Sequence, residues 1–465
     1  MNPPAPAVAI AALLSAAGCL ADNSDGGGCP ESLLRYAVVE RNPDNVLSAI
    51  IRVEATGTDS LLVRFGTDPV ALDSTTPAFV PRDEPTTVPV LGLLPATKYW
   101  FQVVSHRKCG DETGVVLSLT TGPLPDDLPT YTAGGSNPSS GYVVMAAAPF
   151  GLVIDNTGRV VWYHRFPGGP GLNFQAQPTG HYVANPPVSS PSAGSWVELD
   201  VLGRTIRLIT CARGLTPRFH DLLVEEDGSY WVMCDESRIM DLSNVGGSLG
   251  ARVTGTVVQH IGAGGGLLFE WSAFDHFEIT DLEPPARLGN TVNWTHGNAI
   301  DREGAAFLLV SFRSLSEITK IDIRTGAVVW RMGGRRNQFV PINGSQPSFV
   351  WQHGMRSAGP GGLVLLDNLG DQVGSEVEQY RYDESQQTLT LDKAFGLGSA
   401  VVAQLGGTAQ QLPGGRILAS YGNGGRVEEY GPDGQVQWRI YGDPGYVFRA
   451  QRILSLYSPG VGLPR

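Results

Sequence analysis

Charge is scarce in this chain. Only 17% of its 465 residues are Asp, Glu, Lys or Arg, and the formal net charge is −12. An acidic balance with so few cations argues against nucleic acid as a partner, while leaving room for a small anion held by locally placed cations. Cysteine is sparse too: five residues, none in the CxxC spacing of a zinc or redox site. The Gly-x-Gly-x-x-Gly pattern is missing from any strand-to-helix setting, so no cradle for a nucleotide phosphate is evident. Few segments pattern as long amphipathic helices. Glycine and proline, at 59 and 33 residues, stand beside 42% hydrophobic residues. That composition predicts short, well-buried strands joined by tight turns, and the length predicts two domains.

Residues 7–17 form an apolar run too short to span a bilayer, ending in LSAAGC. Small residues directly before Cys19 resemble a bacterial lipobox, in which the cysteine is lipidated. Residues 1–34 are then signal, lipobox and flexible tether. The protein is expected to be exported, as a periplasmic or cell-surface lipoprotein held to a membrane by its lipid. A plain secretory signal is the alternative, because no Lys or Arg precedes the run and position 16 is Ala. With Cys19 lipidated, Cys29, Cys109, Cys211 and Cys234 remain, an even number suited to an oxidising compartment. The spacing allows Cys29–Cys109 and Cys211–Cys234 as disulfides, or four free buried thiols.

Residues 35–122 read as a small β-sandwich. The segment LGLLPATKYWFQVVS resembles the fibronectin type III pattern, with Leu93, Pro95 and Thr97 leading into a tyrosine corner at Tyr99. Residues 123–129, PLPDDLP, form a linker. From 130 to 465 the chain repeats, each unit carrying a glycine turn and most closing on an apolar run with tryptophan. Six such units of four strands predict an all-β, six-bladed β-propeller behind the sandwich. The third unit is stretched, and the excess around AGGGLLFEWSAFDHFEITDLEPP is expected to be a loop with an aromatic and acidic lip.

Within the repeat, FHDLLVEEDG, THGNAIDREG and QHGMRSAGPG put His220, His296 and His353 at one phase, each eight residues before a glycine. Side chains at one phase of blades around an axis converge near its centre. Asn298, two residues after His296, is expected on the same strand face, and Arg313 at the end of the next strand. Trp294 and Trp351 each precede a site histidine by two residues; either aryl stacking or core filling is open to them. Three imidazoles can hold a transition metal. The nearby arginine opposes a dication and instead suits a tetrahedral oxyanion, so no metal and no cofactor is expected. A histidine in such a cradle can act as nucleophile and its neighbours as acid or base, in sulfuryl or phosphoryl transfer.

The motifs WTHGNAI, LLVSFRSLSEITKIDIRTGAVVWRMGG, FVWQHGM and LLDN resemble the bacterial arylsulfotransferases (aryl-sulfate sulfotransferases), over roughly residues 130–457. The resemblance implies a six-bladed propeller, with His353 as a transiently sulfated nucleophile and Arg313 gripping the sulfuryl oxygens. It makes His296 and Asn298 the family's His-x-Asn element and His220 the remaining catalytic histidine. It further implies ping-pong transfer from an aryl sulfate donor to a phenolic acceptor without a nucleotide. A non-catalytic propeller binding a small anion or a cell-surface ligand, and a metal-dependent lyase or hydrolase, are the alternatives.

Overall fold

The computed structural model describes residues 33–464 apart from 83–84, 109, 170, 187–193, 283–287, 343–348, 369–373 and 397–400. Cys19, Cys29 and Cys109 lie outside the described residues. The fold is all-β: regular structure in the described residues is strand, with short 3₁₀ turns between some of them. The chain divides into two compact units, with the main boundary between Leu128 and Pro129.

In the first unit two antiparallel sheets face each other. Leu33–Arg41, Ser48–Thr56 and Thr86–Leu91 form one; Ser74–Thr75, Ser60–Gly66, Lys98–His106 and Glu112–Thr120 form the other, in that spatial order. Alternate residues point inward, as a pleated strand requires, so Ile51, Val53, Leu61, Val63, Val88, Val90, Phe101 and Val103 share one apolar core. The Tyr99 hydroxyl accepts the Leu94 backbone N–H at 3.1 Å and so fixes the turn before its own strand.

Among the described residues the second unit contains six sheets, antiparallel apart from two short parallel pairings, Thr291–Asn293 on Ala251–Ile261 and Val340–Pro341 on Thr388–Phe395. Most follow the chain in order, but the first and the last exchange strands across the length of the unit. Ala450–Ile453, from the chain's end, pairs with Tyr142–Ala147 in the first sheet. Thr132–Gly134, from the unit's start, pairs with Val436–Tyr441 in the sixth. The sequence repeat alone does not show this exchange.

Neighbouring sheets are joined by apolar clusters, and the strands obey a two-sided alternation. In Phe307–Phe312, Leu308, Val310 and Phe312 pack toward the third sheet, with Trp231, Met233 and Val258. Leu309 packs the other way, with Met355, Leu363 and Leu365 of the fifth. In Gly362–Asp367, Leu363 and Leu365 face the fourth sheet, while Val364 and Leu366 face the sixth, with Ala409 and Ile417. Strands buried on both faces are apolar at nearly every position. This is the physical reason for the apolar runs FLLV and LVLL, which give way to the buried polar Ser311 and Asp367 at their ends.

The stretched third unit departs from expectation. Part of the excess lengthens paired strands, Tyr230–Met240 and Ala251–Ile261; within residues 263–282 Leu267–Ser272 is the sheet's next strand and the rest is turns and irregular chain. Trp271 and Phe277 are buried in the cluster between the third and fourth sheets, so the aromatic lip is largely core. His276 lies flat on Trp271, ring centroids 4.9 Å apart.

Candidate active site

Three strands carry the histidines: Thr216–Val224, Gly297–Glu303 just after His296, and His353–Ser357. Each leads its sheet, and each packs against the next. Each also has a local break in register at the site: between Pro217 and Leu222, between Gly297 and Ala299, and between His353 and Arg356. An irregularity of this kind bends a strand and re-aims a side chain. His296 itself has φ +50°, as does Trp351 at +58°, so the chain enters both strands through a left-handed residue. After His353, Gly354 has φ +59°, and a Cβ there would sit 2.6 Å from the Thr408 Cα. Only glycine allows that approach without displacing the neighbouring strand.

The ring nitrogens of His220, His296 and His353 lie within 4.8 Å of one another. His296 Nε2 and His220 Nε2 are 3.1 Å apart, sharing a hydrogen bond. The Asn293 amide donates to His296 Nδ1 at 2.6 Å, so the proton between the two rings belongs to His296 and is accepted by His220. His353 is held differently. Its Nδ1 faces the Asn368 Oδ1 at 2.9 Å. Phe448 stands edge-on to both His220 and His353, at 5.7 and 6.3 Å between centroids, and Phe219 stacks on His220 at 4.0 Å. One wall of the site is therefore apolar.

All three imidazoles favour the neutral form. Burial is the largest cause in each case. The charges of Arg218 and Arg313 add to it at His220 and His296, which lie well below the usual histidine range. His353 is lowered to about 4 by burial and by Arg313, against the opposing pull of Asn368 and the Trp351 backbone. A neutral, buried imidazole keeps its lone pair near pH 7, as a nucleophile must.

Arg313 opens a 3₁₀ turn, Arg313–Leu315, directly after the Phe307–Phe312 strand. Its backbone N–H donates to the His296 carbonyl at 3.0 Å, which ties the turn to the site. The guanidinium lies over the Trp351 ring at 4.2 Å and donates to the Gln404 carbonyl at 3.3 Å. Its Nε is buried without a hydrogen-bond partner among the described residues. A cation short of acceptors beside three neutral imidazoles suits an incoming anion.

The same charges bear on metal binding. The convergent group contains three histidines and no carboxylate. The nearby Asp221 accepts from Arg356 at 2.7 and 3.2 Å and from Arg449 at 3.2 Å, and it is fully buried. It is committed to two guanidinium groups. Donor geometry would admit a dication, but the charge set opposes one.

Two tryptophans and one amide require correction or refinement. Trp294 is buried in the apolar cluster between the third and fourth sheets, 5.1 Å from Phe274 between ring centroids, and is a core residue. The two-residue period does not run from Trp294 to His296, because both precede the strand and His296 is left-handed. Trp351 stays at the site, beneath Arg313. Asn298 points its amide nitrogen at the Gln352 carbonyl, 2.6 Å away, and so braces the backbone before His353 rather than facing an oxyanion. The register break between Gly297 and Ala299 removes the alternation that would have placed it with His296. Cys211 and Cys234 form a disulfide. Asn368, Asn293, Phe448 and Arg218 were not singled out from the sequence. Asn368 closes the LLDN motif, but its partner His353 comes from another strand, and Phe448 comes from near the chain's end.

Fold and site together define an all-β protein with a buried histidine centre that is free of carboxylate and bordered by arginine. Residues 215–443 match the family model described as Arylsulfotransferase (ASST), and the chain carries an arylsulfotransferase family domain. No curated protein matches the chain. Among solved structures it is similar to a streptogramin B lyase, at 13% identity and TM-score 0.34, over 66% of this chain and 72% of that one. A catalytically inactive virginiamycin B lyase from Staphylococcus aureus with quinupristin gives 10% identity and TM-score 0.36, over 66% and 88%. The Cps50 (Swd1) β-propeller domain of Myceliophteria thermophila gives 9% identity and TM-score 0.36, over 70% and 89%.

Proposed function

We propose that this protein is a nucleotide-independent arylsulfotransferase, moving a sulfuryl group from an aryl sulfate to a phenol through a sulfohistidine at His353. The observation that carries the reading is the asymmetry of the three rings. His220 and His296 are paired through their Nε2 atoms, whereas His353 stands outside that pair and is held at Nδ1 by Asn368. We read the six sheets as the blades of a propeller and the first unit, with its Tyr99 corner, as a fibronectin type III-like accessory domain.

In this mechanism the donor's sulfate enters beside Arg313. Its negative charge offsets the cationic surroundings, so the His220–His296 pair takes up a proton as the donor binds. The His353 Nε2 lone pair forms the N–S bond while the S–O(aryl) bond breaks. The departing phenolate takes the proton from the pair and leaves as a phenol. An acceptor phenol then returns a proton to the same pair. Its oxygen attacks sulfur, and the N–S bond breaks to restore His353. Arg313 stabilises the sulfuryl oxygens in both half-reactions. Phe448 and Phe219 offer an apolar wall to the aryl ring, beside Trp351.

Intact-mass measurement after incubation with 4-nitrophenyl sulfate alone is expected to show one added sulfuryl group per chain, discharged by phenol. Donor binding without adduct or turnover would make the protein a non-catalytic anion binder. Activity lost to a chelator and restored by zinc would make it a metal enzyme on the same three histidines. We further propose export and lipidation at Cys19. Expression with the native leader and a palmitate analogue is expected to label the protein, and a soluble, unlabelled product would leave the plain secretory signal.

A further inference from the structure

We propose that Asn368 is the positioning residue that selects the tautomer of His353, and that the backbone at 403–406 fixes both this amide and the Arg313 guanidinium in one frame. The inference rests on the arylsulfotransferase reading only for its catalytic consequence; the placement itself is independent of it.

Asn368 is fully buried, and its two ends are chemically different: Nδ2 only donates and Oδ1 only accepts. One end faces two backbone carbonyls, those of Ala403 and of Gly406, the latter at 3.0 Å. Carbonyl oxygens accept only, so that end is Nδ2, and the amide cannot turn over without burying oxygen against oxygen. The other end, Oδ1, then faces His353 Nδ1 at 2.9 Å. An acceptor at that distance requires a proton on Nδ1. A neutral imidazole carries one ring proton, so Nε2 keeps its lone pair. Two peptide carbonyls that do not touch the ring thus act on its tautomer through Asn368, alongside the Trp351 backbone, which also accepts from the ring.

The backbone supplying those carbonyls is braced in turn. The Ala403 N–H donates to the Ser375 hydroxyl at 2.7 Å, and that hydroxyl donates to the Asn368 carbonyl at 2.8 Å. The Leu405 N–H donates to Asn423 Oδ1 at 2.8 Å, and the Asn423 N–H returns a bond to the Leu405 carbonyl at 3.0 Å. Between these two anchors the Gln404 carbonyl accepts from Arg313. Nucleophile and oxyanion clamp are therefore indexed to the same four residues. Elsewhere a wrongly placed imidazole proton costs a histidine-dependent enzyme several orders of magnitude in rate.

The test reads the proton directly. With the histidines ¹⁵N-labelled, and the His353 signal assigned by its loss in His353→Gln, the donor-free protein is expected to show His353 protonated on Nδ1 and bare on Nε2. Asn368→Ala removes the acceptor. The His353 signals should move toward the opposite tautomer or a mixture, and sulfuryl uptake should slow on the order of 100-fold with little change in donor KM. Asn368→Asp keeps an acceptor toward His353 but sets its second oxygen against the Ala403 and Gly406 carbonyls, so this buried carboxyl is expected to keep a proton on that side. Its His353 should stay protonated on Nδ1, and the acid limb of its uptake rate should stay close to that of the wild type. A wild-type His353 protonated on Nε2 would overturn the proposal. So would an Asn368→Ala protein, folded by circular dichroism, whose tautomer is unchanged. Because the ring is read without donor, an Nδ1–H signal in a protein that forms no adduct would retain the positioning role while removing the transferase reading.

Discussion

His353→Ala is expected to abolish both the sulfuryl adduct and turnover, a loss of at least the order of 10³-fold in kcat. Neither neighbouring imidazole is placed to substitute. His296 Nε2 is engaged with His220 Nε2 at 3.1 Å, and His296 Nδ1 is occupied by Asn293 at 2.6 Å. His220 would have to leave that pair, and its Nδ1 is buried with no partner among the described residues. Donor affinity should change much less than rate, because Arg313 and the apolar wall remain. His353→Gln gives a second, better-filling variant, so a loss common to both separates chemistry from packing. Sulfuryl uptake by either variant, mapped by peptide mass to another histidine, would reassign the nucleophile.

The wild-type pH profile is part of the same expectation. His353 is lowered to about 4, chiefly by burial. A lowered histidine stays neutral until pH falls through that value, so uptake at low donor concentration should hold through pH 5 and decline near pH about 4. An exposed histidine would begin to fail near about 6.5. Arg313 contributes to the lowering, so an Arg313→Gln protein should show the acid limb at higher pH as well as weakened donor binding.

Much of this site is visible in the sequence, and the parts that are not share a cause. His220, His296 and His353 declare themselves because equivalent strands place one repeat phase at one point. The two-sided core is legible in FLLV and LVLL, since strands covered on both faces need no polar positions. Local alternation, by contrast, misleads where the backbone is irregular. Trp294 and Asn298 were placed by a two-residue period, yet His296 at φ +50° and the register break after Gly297 interrupt that period. Glycine beside His296 and His353 was the available sign of such a break. Long-range partners leave no sequence signal at all. Asn368 is recognisable as part of a motif, but its role depends on the direction of peptide groups at Ala403 and Gly406. Arg449 and Phe448 enter the site from the last part of the chain, and Arg449 bonds Asp221 across a separation of 228 residues.

Asp221 gives the second large expectation, in stability. Its carboxylate is fully buried between Arg356 and Arg449, and it also accepts backbone N–H groups of Leu222 and Ile300 at 3.1 and 3.0 Å. Arg449 in turn donates to the His220 carbonyl at 3.3 Å and to Asn173 Oδ1 at 3.1 Å, so this cluster holds the backbone of a site histidine. Asp221→Ala takes from two nearly inaccessible guanidinium groups the carboxylate they share. Removing one partner of a buried pair costs about 3–5 kcal/mol, most of it from the charge left behind. Urea or thermal unfolding should register a loss of that size, and sulfuryl uptake should fall because His220 loses its brace. The origin of the cost can be separated from simple loss of contacts. If the buried charge dominates, Asp221→Ala combined with Arg356→Met should be more stable than Asp221→Ala alone, since the second substitution removes one of the two cations that shared the Asp221 carboxylate. If the double variant is less stable by the sum of the single losses, the cluster acts through packing, and its charges are not what anchors the strands around the site.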